Sequence, residues 1–120
     1  MVKQNTIRNK SFDFAVRIVK VYQHLTDVKR EFVLSKQLLR SGTAIGALVK
    51  EAEQAESKPD FIHKLNIALK EASETEYWLE LLEKTNYLTE QEFSSLYKDC
   101  VELLKLLTAI IKTTRNNIKK

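Results

Sequence analysis

The sequence predicts an all-α protein, an antiparallel up-down-up-down four-helix bundle. Three observations predict it: only two Gly and one Pro in 120 residues, four separate apolar stripes at helical spacing, and short polar connections between them. Apolar residues make up 43% and charged residues 30%, which suits long amphipathic helices and suits β-sandwiches or disordered chains poorly. The length is that of a single domain with a genuine core, residues 1–120, ordered over about 11–114 with a basic tail at 115–120.

The first helix is expected from Ser11 or Phe12 to Leu25, with Ala15, Ile18, Val19, Tyr22 and Leu25 at i, i+3, i+4 spacing and Ser11 as N-cap. Residues 26–30 form a polar connection. The second helix carries Leu34, Leu38, Ser41, Ile45, Leu48 and Ala52. Its middle, Ser41 to Ala47, is stripped of bulk, and Gly42 and Gly46 are the only glycines of the chain. Each Gly inside a helix costs about 1 kcal/mol relative to Ala, so close approach of another helix is the reason to place them there. Ser57 and Asp60 have capping-box spacing around Pro59 and open a third helix, with Phe61, Leu65, Ala68, Ala72, Leu79 and Leu82, ending near Asn86. Thr89 and Glu92 repeat that signature before Phe93, Leu96, Cys100, Leu103, Leu107 and Ile110. The tail after Thr114 is expected to fray.

Connections this short force consecutive helices antiparallel. A first helix of about 14 residues would span roughly 21 Å against roughly 37 Å for the others, leaving one end of the bundle without its fourth wall. Phe14, Val21, Tyr77, Trp78, Leu81, Val101 and Leu106 lie outside the stripes, a surplus that a subunit interface would bury.

Charge is distributed in blocks: +7 over residues 1–50, −7 over 51–107 and +4 over 108–120. Such asymmetry gives faces that can meet a partner of opposite sign. The start of the chain lacks an apolar signal core, and Leu103 to Ile111 is interrupted by Lys105 and too short to cross a bilayer. With Cys100 as the lone cysteine, a reducing, cytoplasmic setting without membrane contact is expected.

Catalytic patterns are absent from the sequence. A di-iron bundle needs Glu-x-x-His pairs, and neither His24 nor His63 has a Glu three residues before it. Asp60 and His63 share a helix face as an ordinary helix-start pair, and Cys100 sits on an apolar stripe as an inert thiol. No phosphate loop, nucleophile elbow or H-E-x-x-H occurs, so no catalytic residue, cofactor, metal or small-molecule substrate is assigned. One polar network is expected: Glu76 falls on the stripe of the third helix and needs a partner, with Arg40 as the candidate and the Ser41 or Thr43 hydroxyls as alternatives.

Residues 35–47, SKQLLRSGTAIGA, then Glu51-Ala52-Glu53, then 61–79, FIHKLNIALKEASETEYWL, closely resemble the bacterial four helix bundle protein family, also called the S23 or 23S rRNA intervening-sequence protein family. The likeness runs over about 11–114. Where the family usually has an Asn after the small segment, this chain has Ala47-Leu48-Val49. The resemblance implies a small bundle without established enzymatic activity that assembles with itself, commonly as a pentamer. Some relatives are encoded inside inserts of ribosomal RNA genes, and the fold is similar to a basic pentameric accessory protein of diversity-generating retroelements.

Two functional readings result. In the first, RNA or DNA is bound through phosphate contacts by Arg8, Lys10, Arg17, Lys20, Lys29, Arg30, Lys112, Arg115, Lys119 and Lys120. In the second, the protein is a structural oligomer or interaction scaffold whose basic half pairs with the acidic half of the next copy. Both compete for the same charges.

Overall fold

The computed structural model describes the backbone of residues 2–119 and the side chains of residues 6–117. Four helices follow one another: α1 (Val2–Asp27), α2 (Leu34–Ala52), α3 (Lys58–Lys84) and α4 (Glu90–Lys119). Their pairing is readable from contacts across each seam. Ile18 faces Gly42 and Ser11 faces Gly46 between α1 and α2. Ser41 meets Thr75 and Glu51 meets Lys64 between α2 and α3. Between α3 and α4, Ala72 meets Cys100 and Glu80 meets Tyr97. Lys10 with Glu102 and Arg17 with Asp99 close α4 onto α1. In every pair one number rises as the other falls, so each seam is antiparallel. The four-helix bundle measures 51 × 22 × 20 Å.

The first helix is longer than its sequence signals. α1 holds 26 residues, about 39 Å at 1.5 Å per residue, and the short helix is instead α2, with 19 residues and about 28 Å against the roughly 37 Å expected. Ser11 is not an N-cap but a buried mid-helix residue whose hydroxyl donates to the Arg8 carbonyl at 3.2 Å. The extra turns are anchored by Ile7, which is buried. Val2 and Ile7, five positions apart, are the only apolar residues in the nine added positions, too sparse for periodicity to register. At the other terminus α4 stays helical through Lys119 rather than fraying after Thr114.

The face of α1 also differs from expectation. Its buried stripe is Ile7, Ser11, Phe14, Ile18 and Leu25, while Val19 is exposed. Phe14 therefore belongs to the core and not to the surplus. The core continues through Leu38 and Ile45, Leu65, Leu79 and Leu82, and Leu96, Leu103 and Leu107. Burying one such side chain contributes about 1.5–3 kcal/mol, which makes this interior the main source of stability.

Helix ends are set by specific caps. Thr89 and Glu92 form a reciprocal box: the Glu92 N–H donates to the Thr89 hydroxyl at 3.1 Å and the Thr89 N–H to the Glu92 carboxylate at 2.8 Å. At α3 the Asp60 N–H donates to the Ser57 hydroxyl, and the Asp60 carboxylate reaches one residue further back, to the Glu56 N–H. Asn86, with φ 70°, ends α3 by letting the Tyr87 and Leu88 N–H groups turn back to the Leu82 carbonyl. α2 is capped from outside its first turn. The Glu31 carboxylate accepts from the Val33, Leu34 and Ser35 N–H groups at 3.1, 2.9 and 2.6 Å, and the Ser35 hydroxyl donates to the Glu31 carbonyl.

Candidate functional site

The cations assigned to phosphate contact do not form one patch. Arg8 pairs with Glu53 at 2.7 Å, Lys10 with Glu102 at 3.0 Å and Arg17 with Asp99 at 2.5 Å. Arg17 also donates to the Ser95 hydroxyl at 2.8 Å. These three side chains tie α1 to its neighbours α2 and α4. Lys20 lines a recess of about 190 Å³ with Arg17, His24 and Glu92 at the α1–α4 seam. The Thr89 backbone holds the Glu92 carboxyl below its usual range against the opposing effect of burial, and His24 and Lys29 add to the lowering. Arg30 lies 5.1 Å from the centre of the Phe32 ring, within cation–π range. Lys112 and Arg115 sit at the far end of the long axis, where they line a recess of about 340 Å³ with Asn66, Thr108 and Asn116. The Lys119 side chain and Lys120 lie outside the described residues.

The expected pairing of Arg40 with Glu76 does not occur. Arg40 donates to the Glu74 carboxylate at 2.5 Å and lies 3.5 Å from Glu71, with its own side chain 52% exposed. The Trp78 indole N–H donates to the same Glu74 at 3.0 Å. The reason is angular: at about 100° per residue, Glu76 stands some 200° around α3 from Glu74 and faces α4. There burial, followed by repulsion from Glu80, pushes the Glu76 carboxyl up, partly opposed by a hydrogen bond from Tyr97. The stripe position belongs instead to Thr75, which is fully buried and meets Ser41 at 2.9 Å. Thr43 turns its hydroxyl to the Leu39 carbonyl of its own helix.

Gly42 and Gly46 lie where α2 runs closest to α1. A Cβ on Gly42 would stand 2.8 Å from Ile18 Cγ1, and one on Gly46 would stand 3.2 Å from the Ser11 carbonyl oxygen. Cys100 is buried with its thiol donating to the Ala72 carbonyl, and burial, then Glu76 and Asp99, push it up to about 12. A thiol held so far from ionisation is a poor nucleophile. Among the described residues, no cluster of three His, Cys, Asp or Glu side chains could hold a metal ion, and no helix is long and apolar enough to cross a membrane.

The surface feature that sequence reasoning missed is apolar. In the 28–33 connection Val28 is 64%, Phe32 50% and Val33 72% exposed. Phe12, Val16 and Val19 form an exposed strip along α1, and Tyr77 is exposed on α3. The signal was present as three large apolar residues in a connection otherwise polar, VKREFV, but stripe-reading passes over loops. Of the expected surplus, Trp78, Val21 and Leu106 pack partly against the core.

The model of the 23S rRNA-intervening sequence proteins matches residues 3–109. The chain belongs to that family. This family member is also similar to a crystal structure, at 1.70 Å resolution, of a protein of unknown function from the S23 ribosomal protein family of Bacteroides thetaiotaomicron. The two are 59% identical with a TM-score of 0.91, over 92% of this chain and 98% of the other. No curated protein matches the chain. The helical fold is thus shared with an S23 family protein of unknown function.

Proposed function

We propose that this S23 family member is a non-catalytic cytoplasmic scaffold that assembles with itself through the apolar surface of α1 and the 28–33 connection. The observation that carries the reading is the exposure of Phe12, Val28, Phe32 and Val33 although the bundle core is already filled. Three of these side chains fall within the six residues of one connection, and clustered apolar surface on a small domain marks a site of association. Three of the cations that a nucleic-acid reading would use are tied to Glu53, Glu102 and Asp99 within the chain. Five copies is the number that the family resemblance implies. Sedimentation velocity at micromolar concentration tests the reading: a species several times 13.9 kDa is expected, and a persistent monomer refutes it.

A second reading has one observation in its favour. Lys112 and Arg115 are exposed beside the Asn66 and Asn116 amides, in a segment with no acid from residue 108 onward. These groups suit phosphate oxygens, and no aromatic ring stands among them to stack on bases. RNA retention should then fall with salt, with a log–log slope of about −0.7 per phosphate contact for single strands, and removing residues 115–120 should make it shallower. Absence of retardation at low salt, or retardation without salt dependence, rejects it.

A further inference from the structure

The exposed apolar connection and an apolar recess lie at the same end of the bundle, on opposite edges. At this end residues 28–33 join α1 to α2, and residues 85–89 join α3 to α4. Because each helix touches its sequence neighbours and α4 closes onto α1, the α1–α2 edge and the α3–α4 edge face away from each other. The α3–α4 edge holds a recess of about 460 Å³ floored by Tyr77, Leu81 and Phe93 and rimmed by Glu80, Glu83 and Lys84.

We propose that the 28–33 connection of one copy, with Phe32 and Val33 leading, docks into the Tyr77–Phe93 recess of a second copy of this chain. The proposal rests on the self-assembly reading and specifies which surfaces meet. Charge complementarity selects the occupant. Lys29 and Arg30 lie within the connection, between Val28 and Phe32, while Glu80 and Glu83 outnumber Lys84 around the recess. Glu80 already crowds Glu76, so the edge carries a carboxylate excess that an incoming cation relieves. A symmetric contact of connection against connection would set Lys29 and Arg30 against their own copies, and like charges at an interface disfavour it. The interface is therefore head-to-tail. Since connection and recess lie at one level along the bundle, successive copies stand side by side with their long axes aligned.

The test uses two surface variants of the full chain, Val33→Asp on the connection and Tyr77→Arg on the recess, each checked for unchanged helical circular dichroism. Sedimentation velocity should show association weakened at least about tenfold in each alone, the size expected of a central interface residue. Mixed in equal amounts, the two variants should form one-to-one pairs and nothing larger, because only the intact recess of the first meets the intact connection of the second. A symmetric contact of connection against connection would instead be weakened by Val33→Asp alone and leave Tyr77→Arg assembling as before. Assembly unchanged in either variant, or no pairing on mixing, overturns this interface while leaving self-assembly standing. A wild-type chain that stays monomeric overturns the assembly reading and this interface with it.

Discussion

Ser41 and Thr75, 34 positions apart in sequence, meet hydroxyl to hydroxyl at 2.9 Å in the buried layer between α2 and α3. Thr75 Oγ1 is also 2.8 Å from the Glu71 carbonyl of its own helix, so the pair is linked to the backbone. An apolar layer offers Ser41 no substitute partner in water. Thr75→Val is therefore expected to cost about 1–3 kcal/mol by stranding Ser41, whereas Ser41→Ala with Thr75→Val should cost less than the two single changes added. Strict additivity in urea unfolding would show that the contact carries no coupling.

The glycines make a second prediction. Gly42→Ala gains up to about 1 kcal/mol of helix propensity but sets a methyl 2.8 Å from the fully buried Ile18, where overpacking costs about 1–3 kcal/mol. Net destabilisation is expected. Gly46→Leu meets the backbone of α1 at Ser11, which cannot rotate away as a side chain can, and should be the more damaging of the two. A change below about 0.5 kcal/mol for Gly46→Leu would mean that the seam opens freely.

Two carboxyls should respond to pH with opposite signs. Burial pushes the Glu31 carboxyl up, but the N–H groups of Leu34, Ser35 and Val33 outweigh it and hold the group below its ordinary value of 4.5. A depressed carboxyl stabilises above the unfolded value, and that stability is lost as pH falls through the folded one. Glu31→Gln should thus destabilise the fold at neutral pH by about 0.5–2 kcal/mol, read as a lower Tm, and the difference should shrink in acid. Glu76 is raised, by burial first and Glu80 second, so its ionised form is penalised in the fold. Glu76→Gln should raise Tm at neutral pH and have no such effect below about pH 4, where both forms are neutral. Parallel shifts of the two variants across pH would contradict the assigned environments.

Arg40 should reveal its partner in double-mutant cycles. Arg40→Met is expected to couple with Glu74→Gln, which shares both Arg40 and Trp78, and not with Glu76→Gln on the far side of α3. Coupling to Glu76 instead would place the guanidinium on the wrong face.

Much of the bundle was legible in the residues themselves. The Thr89 and Glu92 spacing gave the start of α4 because a capping box is a local exchange of hydrogen bonds, complete within four residues. The stripe from Leu96 to Ile110 was read correctly because its polar positions leave one apolar face. In α1 the run FDFAVRIVKVY offers two overlapping stripes, one through Phe14 and one through Ala15 and Val19, and periodicity cannot rank them. The Glu31 cap was not seen because a Glu placed before a helix serves only if the connection folds its carboxylate back onto the first turn.

The sequence by itself determined four helices, their order and their antiparallel sense, because caps, apolar spacing and loop length act over a few residues. Only the tertiary structure decided that Phe14 is core and Val19 surface, that Thr75 rather than Glu76 meets Ser41, and that Arg40 takes Glu74. Each helical residue turns the side chain by about 100°, so a stripe one position out moves a residue from core to rim. That choice belongs to the helices packed against it, which no local pattern contains.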